Sequence, residues 1–160
     1  MNDRDAHSQL VRWVKSVTGL TTIKSHQSGD MPALPYNMVN MTSTREVRAH
    51  EQTIEYEDQG AEVKASPVIE VEWMFSVHSY GDHPTDNLRG IRSAMKLSQV
   101  MEPMFPSLIV HSVSQIRNVP DWINNGWQPR AQMDVFVRGL TRDGFLIDVI
   151  EQTQFTFERV

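Results

Sequence analysis

The 160-residue chain contains no cysteine, which excludes thiolate catalysis, cysteine-ligated zinc and a disulfide framework. It lacks any apolar run near the ~18 residues that a membrane span requires. Its N-terminus, Met-Asn-Asp-Arg-Asp-Ala-His-Ser, lacks the basic start and apolar stretch of a signal peptide, so a soluble protein assembled inside a cell is expected. Basic residues are in deficit: 15 Lys and Arg stand against 20 Asp and Glu, for a formal charge of -5. With the basic residues scattered singly, an affinity built on phosphate neutralisation is not expected. The eight glycines are isolated, so neither a phosphate-cradling loop nor a dinucleotide fingerprint is present. No internal repeat, low-complexity tract or linker interrupts residues 1–160, which read as one domain. That length is enough to bury ~70% of the surface of the unfolded chain without metal or disulfide staples.

What the sequence does have is an organising strand, Pro67 to Tyr80. Ile69, Val71, Trp73, Phe75 and Val77 share one parity, while Glu70, Glu72, Ser76 and His78 share the other, the two-residue period of a strand with one buried and one wet face. A slip of one residue would place two glutamates in the core, so the pattern fixes the register of its neighbours. At ~3.3 Å per residue the run is roughly 45 Å long, against a domain diameter of roughly 40 Å. The strand is therefore expected to cross the domain and protrude from it.

Ahead of it, Ala6, Leu10, Trp13, Val14 and Val17 recur at helical intervals, predicting an amphipathic helix over residues 3–18 that Gly19 ends. Thr21 to His26 reads as a short strand, Gln27 to Pro35 as a loop, Tyr36 to Val47 as an extended or edge segment, and Gln52 to Tyr56 as a weak strand. The polar residues 57–65 predict an exposed loop or hairpin tip. After the organising strand, Thr85 or Asp86 is expected to cap a helix running to about Val100, with Pro103 and Pro106 forbidding continuation. Leu108 to Val119 reads as a strand buried on both faces or bulged. Pro120 to Trp127 reads as a tryptophan-rich loop and Arg130 to Arg138 as a strand. Arg142-Asp143-Gly144 is expected to turn the chain into a closing hairpin strand, Phe145 to Glu158, with Phe145, Ile147, Val149, Phe155 and Phe157 on one face. The sum is an α+β fold, an antiparallel sheet with two helices packed on one face.

Asp82, His83 and Asp86, near His78, form the most enzyme-like cluster, with groups suited to a divalent metal or to proton exchange. A polar turn, a helix cap and a strand histidine explain the same residues, and no His-Glu-x-x-His spacing occurs. Ser112 and His111 lack the strained Gly-x-Ser-x-Gly turn that would present a nucleophile. No catalytic, cofactor or metal site is accordingly expected. Apolar material in loops stands out instead: Met31, Leu34, Met104, Phe105, Trp122 and Trp127, with Arg117 and Arg130 flanking the tryptophans. Such residues populate interface centres, or they close the domain's own core, and both readings stand.

The strand ending Val77-His78-Ser79-Tyr80-Gly81, the helix beginning near Asn87-Leu88-Arg89, and the run from Arg117-Asn118-Val119 through Trp127-Gln128-Pro129-Arg130-Ala131-Gln132-Met133-Asp134-Val135 resemble the neck or tail terminator proteins of tailed bacteriophages. The resemblance covers roughly Leu34 to Phe157. It implies a non-enzymatic virion protein of the tail or neck, put together in the host bacterial cytoplasm, whose copies form a ring, typically a homohexamer. Such a ring ends polymerisation of the tail tube and joins it to the head connector. The implied partners are the chain itself, the tail tube protein and the connector or stopper protein, with DNA passing through the lumen without specific binding and no membrane involved. A ring needs two different complementary patches per subunit, for which Asp58 and the segment with Trp122, Trp127, Arg130 and Arg117 are the candidates. A head-completion or stopper ring is the nearest alternative. A metal-dependent hydrolase using Asp82, His83 and Asp86 is the alternative from a different class.

Overall fold

The computed structural model describes residues 1–26, 28–60 and 62–148. In chain order these form α1 (Asp3–Thr18), β1 (Thr21–Lys24), β2 (Tyr36–Glu46), β3 (Thr53–Asp58), β4 (Glu62–Tyr80), α2 (Pro84–Ala94) and a one-turn α3 (Ser98–Met101). A 3-10 turn, Glu102–Met104, leads to β5 (Leu108–Val113), β6 (Arg117–Asn118), β7 (Asp121–Ile123), β8 (Gly126–Gln128), β9 (Arg130–Arg142) and β10 (Phe145–Asp148).

The architecture is α+β. The sheet order is β1-β2-β4-β9-β5, with β3 and β10 on β4 and β6 on β9. The sheet is mixed, because β1 lies parallel to β2 while the other pairs are antiparallel. The extended segment Tyr36–Glu46 is an edge only beyond Val39, where β1 stops covering it. In α1 the Asn2 side chain accepts the Asp5 backbone N–H at 2.8 Å, satisfying a free donor of the first turn. At the other end Gly19, at φ 69°, donates its N–H to the Lys15 carbonyl, a left-handed stop that suits glycine.

The odd parity of β4 faces the helices as the alternation requires. Trp73, Phe75 and Val77 are fully buried with Val39, Met133, Val135 and Val137 from the flanking strands and Leu10, Trp13, Leu88 and Ile91 from α1 and α2. Both buried indoles keep a partner for their N–H groups. Trp13 donates to the Val100 carbonyl at 2.9 Å and Trp73 to an Asp3 carboxylate oxygen at 2.7 Å, which ties α1 to the sheet.

Several expectations are corrected. The even face of β4 is not wet: Glu72, Ser76 and His78 are buried, because long side chains from β2 and β9 lie across the central strand. The second helix is capped by His83, at φ 53°, whose carbonyl accepts the Asp86 and Asn87 N–H groups; Thr85 and Asp86 lie inside it. It ends at Ala94 rather than Val100, and the chain restarts in α3. Leu108 to Val119 is two strands on β9, the first with a register shift between Val110 and Ser112. Pro120 to Trp127 is no loop, for β7 and β8 form a hairpin of their own. Met104 is buried, unlike the other loop apolars singled out.

The largest correction concerns the end of β9. No hairpin turns at Arg142-Asp143-Gly144. β9 pairs with β4 from Tyr80↔Arg130 to Val68↔Arg142, and β10 continues the same register from Ala65↔Phe145 to Glu62↔Asp148. Gly144 serves close approach instead, since a Cβ there would run into the Lys64 side chain and lie 2.9 Å from Ser66 Oγ. Of the closing strand's expected face, Val149, Phe155 and Phe157 lie outside the described residues.

Candidate docking surfaces

One end of β4 carries the tryptophan hairpin. Asn124 and Asn125, at φ 52° and 60°, form the doubly left-handed turn whose twist matches two antiparallel strands, and asparagine tolerates that region better than most residues. Trp122 and Trp127 are therefore directly opposed, with ring centroids 5.1 Å apart and planes at 73°, an edge-to-face pair contributing about 0.5–1.5 kcal/mol beyond its burial. Asp121, one residue before Trp122, points to the opposite face of the hairpin, where it accepts from Arg130 Nη1 at 2.6 Å. The two tryptophans consequently point away from the body and remain 59% and 69% exposed. They do not close the core.

Arg130 is the hinge pin of this end. Besides Asp121, its guanidinium reaches His78 Nδ1 at 2.9 Å and lies 5.4 Å over the Tyr80 ring, which stacks on Tyr36 at 4.8 Å. Burial, reinforced by the Arg130 charge and opposed by Asp134 and Asp121, lowers the His78 pKa to about 4. The neutral imidazole is thus the acceptor that the guanidinium needs. Because the unfolded chain binds this proton near pH 6.5 and the folded one only near 4, the stability involved is present above pH 6.5 and is lost as pH falls toward 4. His7, also lowered by burial, acts with the same sign. The melting temperature of the wild type is expected to fall between pH 7 and pH 4.5, and His78→Gln, which keeps an acceptor, to flatten that slope in thermal scans. An unaltered slope would contradict the assignment.

The polar face continues along β4. Ser76 donates to Asp134 Oδ1 at 2.9 Å, Gln132 donates to Ser76 Oγ at 2.7 Å, and Arg117 donates to Asp134 Oδ2 at 2.8 Å. Further along, the Glu72 carboxylate, 3% exposed, accepts from Arg45 at 2.7 Å and Arg138 at 2.9 Å and contacts His111 Nε2 at 2.6 Å. Burial pushes its pKa up, but the three bonds outweigh this and hold it at about 2.

The other end of β4 is an arm. β3 flanks it on one side, with Tyr56↔Ala65 and Ile54↔Pro67, and β10 on the other, with Phe145↔Ala65 and Ile147↔Val63. Directly paired residues share a face, so Ile54, Tyr56, Val63, Ala65, Phe145 and Ile147 form one apolar surface beyond the helices that cover the rest of that side. Tyr56 and Phe145 are 65% and 63% exposed. The opposite face is charged, with Glu55 paired to Arg142 at 2.8 Å and Lys64 to Glu57 at 3.6 Å.

Arg117, Trp122, Trp127 and Arg130 therefore gather at one end of the molecule. Asp58 lies at the other, on the arm's tip, accepting the Gly60 N–H at 2.8 Å. The sequence reading gave the tip to its polar residues and placed Phe145 and Ile147 on one strand face, but did not join them to Ile54 and Tyr56, because only pairing with β4 brings the two segments to one side. Asp82, His83 and Asp86 sit exposed at the start of α2, where Asp86 accepts from Arg89 at 2.7 Å and lies 4.0 Å from His83. Among the described residues no three His, Asp or Glu side chains are grouped to hold a metal ion, and no helix is long and apolar enough to cross a membrane.

A family model described as phage neck terminator protein matches residues 7–159. The chain belongs to the phage neck terminator protein family. The match takes in the tryptophan hairpin, β4 and both sides of the arm, so the two exposed ends belong to the neck terminator chain itself. Membership makes it a structural component of the phage neck. No curated protein matches the neck terminator chain in sequence. One solved structure, known by a serial label alone, aligns over 84% of this chain and 89% of its own at 15% identity, with a TM-score of 0.29.

Proposed function

We propose that the chain acts as a ring at the head-proximal end of the phage tail tube, where it ends tube polymerisation and joins the tail to the head connector without performing a catalytic act. The family match over residues 7–159 carries this reading. The two unlike apolar surfaces at opposite ends of β4 support it, because a cyclic assembly uses a different patch toward each neighbour. The excess of carboxylates, 20 against 15 basic side chains, suits a conduit through which DNA slides rather than sticks.

Phage deprived of this chain are expected to yield DNA-filled heads and unattached tails whose tubes have lost length control, and complementation should place the chain on headless tails. Recovery of the chain on tailless heads, with free tails of normal length, would favour the stopper ring instead.

A further inference from the structure

The two apolar surfaces cannot meet within one molecule. Ile147 pairs with Val63 while Arg130, beneath the tryptophan hairpin, pairs with Tyr80, and the seventeen residue steps of β4 from Val63 to Tyr80 span roughly 55 Å. From the exposures of Ile54, Tyr56, Phe145 and Ile147 at one end, and of Trp122, Trp127 and Leu34 at the other, each end leaves on the order of 400 Å² of apolar surface in water, the size at which such a patch marks an interaction site. Leu34 belongs to the hairpin end because its Cβ would lie 3.4 Å from a Cβ on Gly81, whose N–H bonds to the Pro129 carbonyl.

Charge separates the possible pairings. The arm carries Glu55, Glu57, Asp58, Glu62 and Asp148 against Lys64 and Arg142, so any two arms brought together bear the same net negative charge, and Asp58, paired with Val63, lies on the apolar face itself. The hairpin's single carboxylate, Asp121, is bonded to Arg130 on the face away from the tryptophans. An arm meets no such repulsion there.

We infer that the partner of the arm is a second copy of this chain, and that the arm's apolar face seats on the outward Trp122–Trp127 face of its neighbour, head to tail. The inference deepens the ring reading and rests on it for closure; the contact itself is a property of two copies. Each patch is smaller than the ~800 Å² per partner of a standard interface. A single contact is therefore weak, and closure, which occupies both ends of every subunit, supplies the remaining stability.

Native mass spectrometry and sedimentation of the full chain test this with Tyr56→Ser/Phe145→Ser and Trp122→Ser/Trp127→Ser. All four side chains are exposed, so both variants should keep the wild-type circular dichroism and be monomers at concentrations where the wild type assembles. Mixed at hundreds of micromolar, where one contact without closure is populated, they should form a heterodimer of twice 18.4 kDa and nothing larger, since the intact arm of one fits the intact hairpin of the other and the remaining ends are disabled. Should either double variant melt early, Phe145→Lys and Trp127→Lys repeat the experiment with one change each. A wild type that stays monomeric at hundreds of micromolar, an arm variant that still assembles, or a mixture that stays monomeric at those same concentrations would overturn the head-to-tail contact. Phage with normal necks built from arm variants would sink the contact while leaving the neck function standing; loss of self-association with tails still ending correctly would separate the two in the same way.

Discussion

Trp73→Ala is expected to lower the unfolding free energy by about 3–5 kcal/mol, measured as a shift in denaturant midpoint at unchanged slope. Trp73 is fully buried in β4 with Val137 beside it in register. The walls of the space it fills cannot close in. A Cβ on Gly139 would sit 3.1 Å from the Trp73 ring, 2.8 Å from the Ser107 carbonyl and 2.8 Å from Leu108, so backbone forms part of the lining and the cavity persists. Truncation also frees α1 from the sheet at the Asp3 hydrogen bond. Asp3 itself is exposed and rehydrates, so the cavity dominates the loss. Trp73→Phe should fall between the two. A loss below about 1 kcal/mol would mean that the site collapses after all.

Glu72→Lys is expected to cost a similar amount, about 3–5 kcal/mol, the range for breaking a buried ion pair. The carboxylate is 3% exposed beneath Arg45, Arg138 and His111. Arg45 keeps 70% of its side chain in water and can swing away when the acid is lost. An ammonium group at position 72 has no such escape and faces two guanidinium groups. The milder Glu72→Gln separates charge from shape. With its pKa at about 2 in the folded state against 4.5 in the unfolded one, Glu72 contributes stability that is present above pH 4.5 and lost as pH falls toward 2. Denaturant titrations of Glu72→Gln should therefore lack part of the wild type's acid destabilisation in that window. Equal slopes for the two proteins would show that the network carries no net charge coupling.

These two neighbours on one strand show where sequence reading succeeds and where it stops. The odd face of β4 was legible because Ile69, Val71, Trp73, Phe75 and Val77 repeat with the strand's own period. The even face was read as wet because glutamate, serine and histidine are hydrophilic. Hydrophilic side chains become buried when arginines from β2 and β9 lie over them, and no period in β4 announces those arginines. Helix α1 was legible end to end, since its apolar spacing and Gly19 are local. The α2 cap was not, because the chain used the backbone carbonyl of His83 in place of an available side-chain oxygen.

The tryptophan segment and the arm follow the same division. Asn124-Asn125-Gly126 held the hairpin signal, yet whether Trp122 and Trp127 would cover a core or face water depended on Asp121 being drawn inward to Arg130. Arg142-Asp143-Gly144 had the composition of a turn. It runs straight because β4 is long enough to pair with both β9 and β10 in one register, leaving Gly144 to make room for Lys64 and Ser66.

By itself the sequence determined the α+β class, the central strand with its inward side chains, the first helix and its stop, and the terminator resemblance that the family match bears out. All of these depend on spacing within a segment or on residue identity at short range. Only the tertiary structure decided that the polar side of β4 is covered, that β9 continues into an arm, and that unlike apolar surfaces stand at the two ends of one strand. Those outcomes depend on which distant segments lie side by side, and a strand's period specifies the face it offers without specifying the neighbour that accepts it.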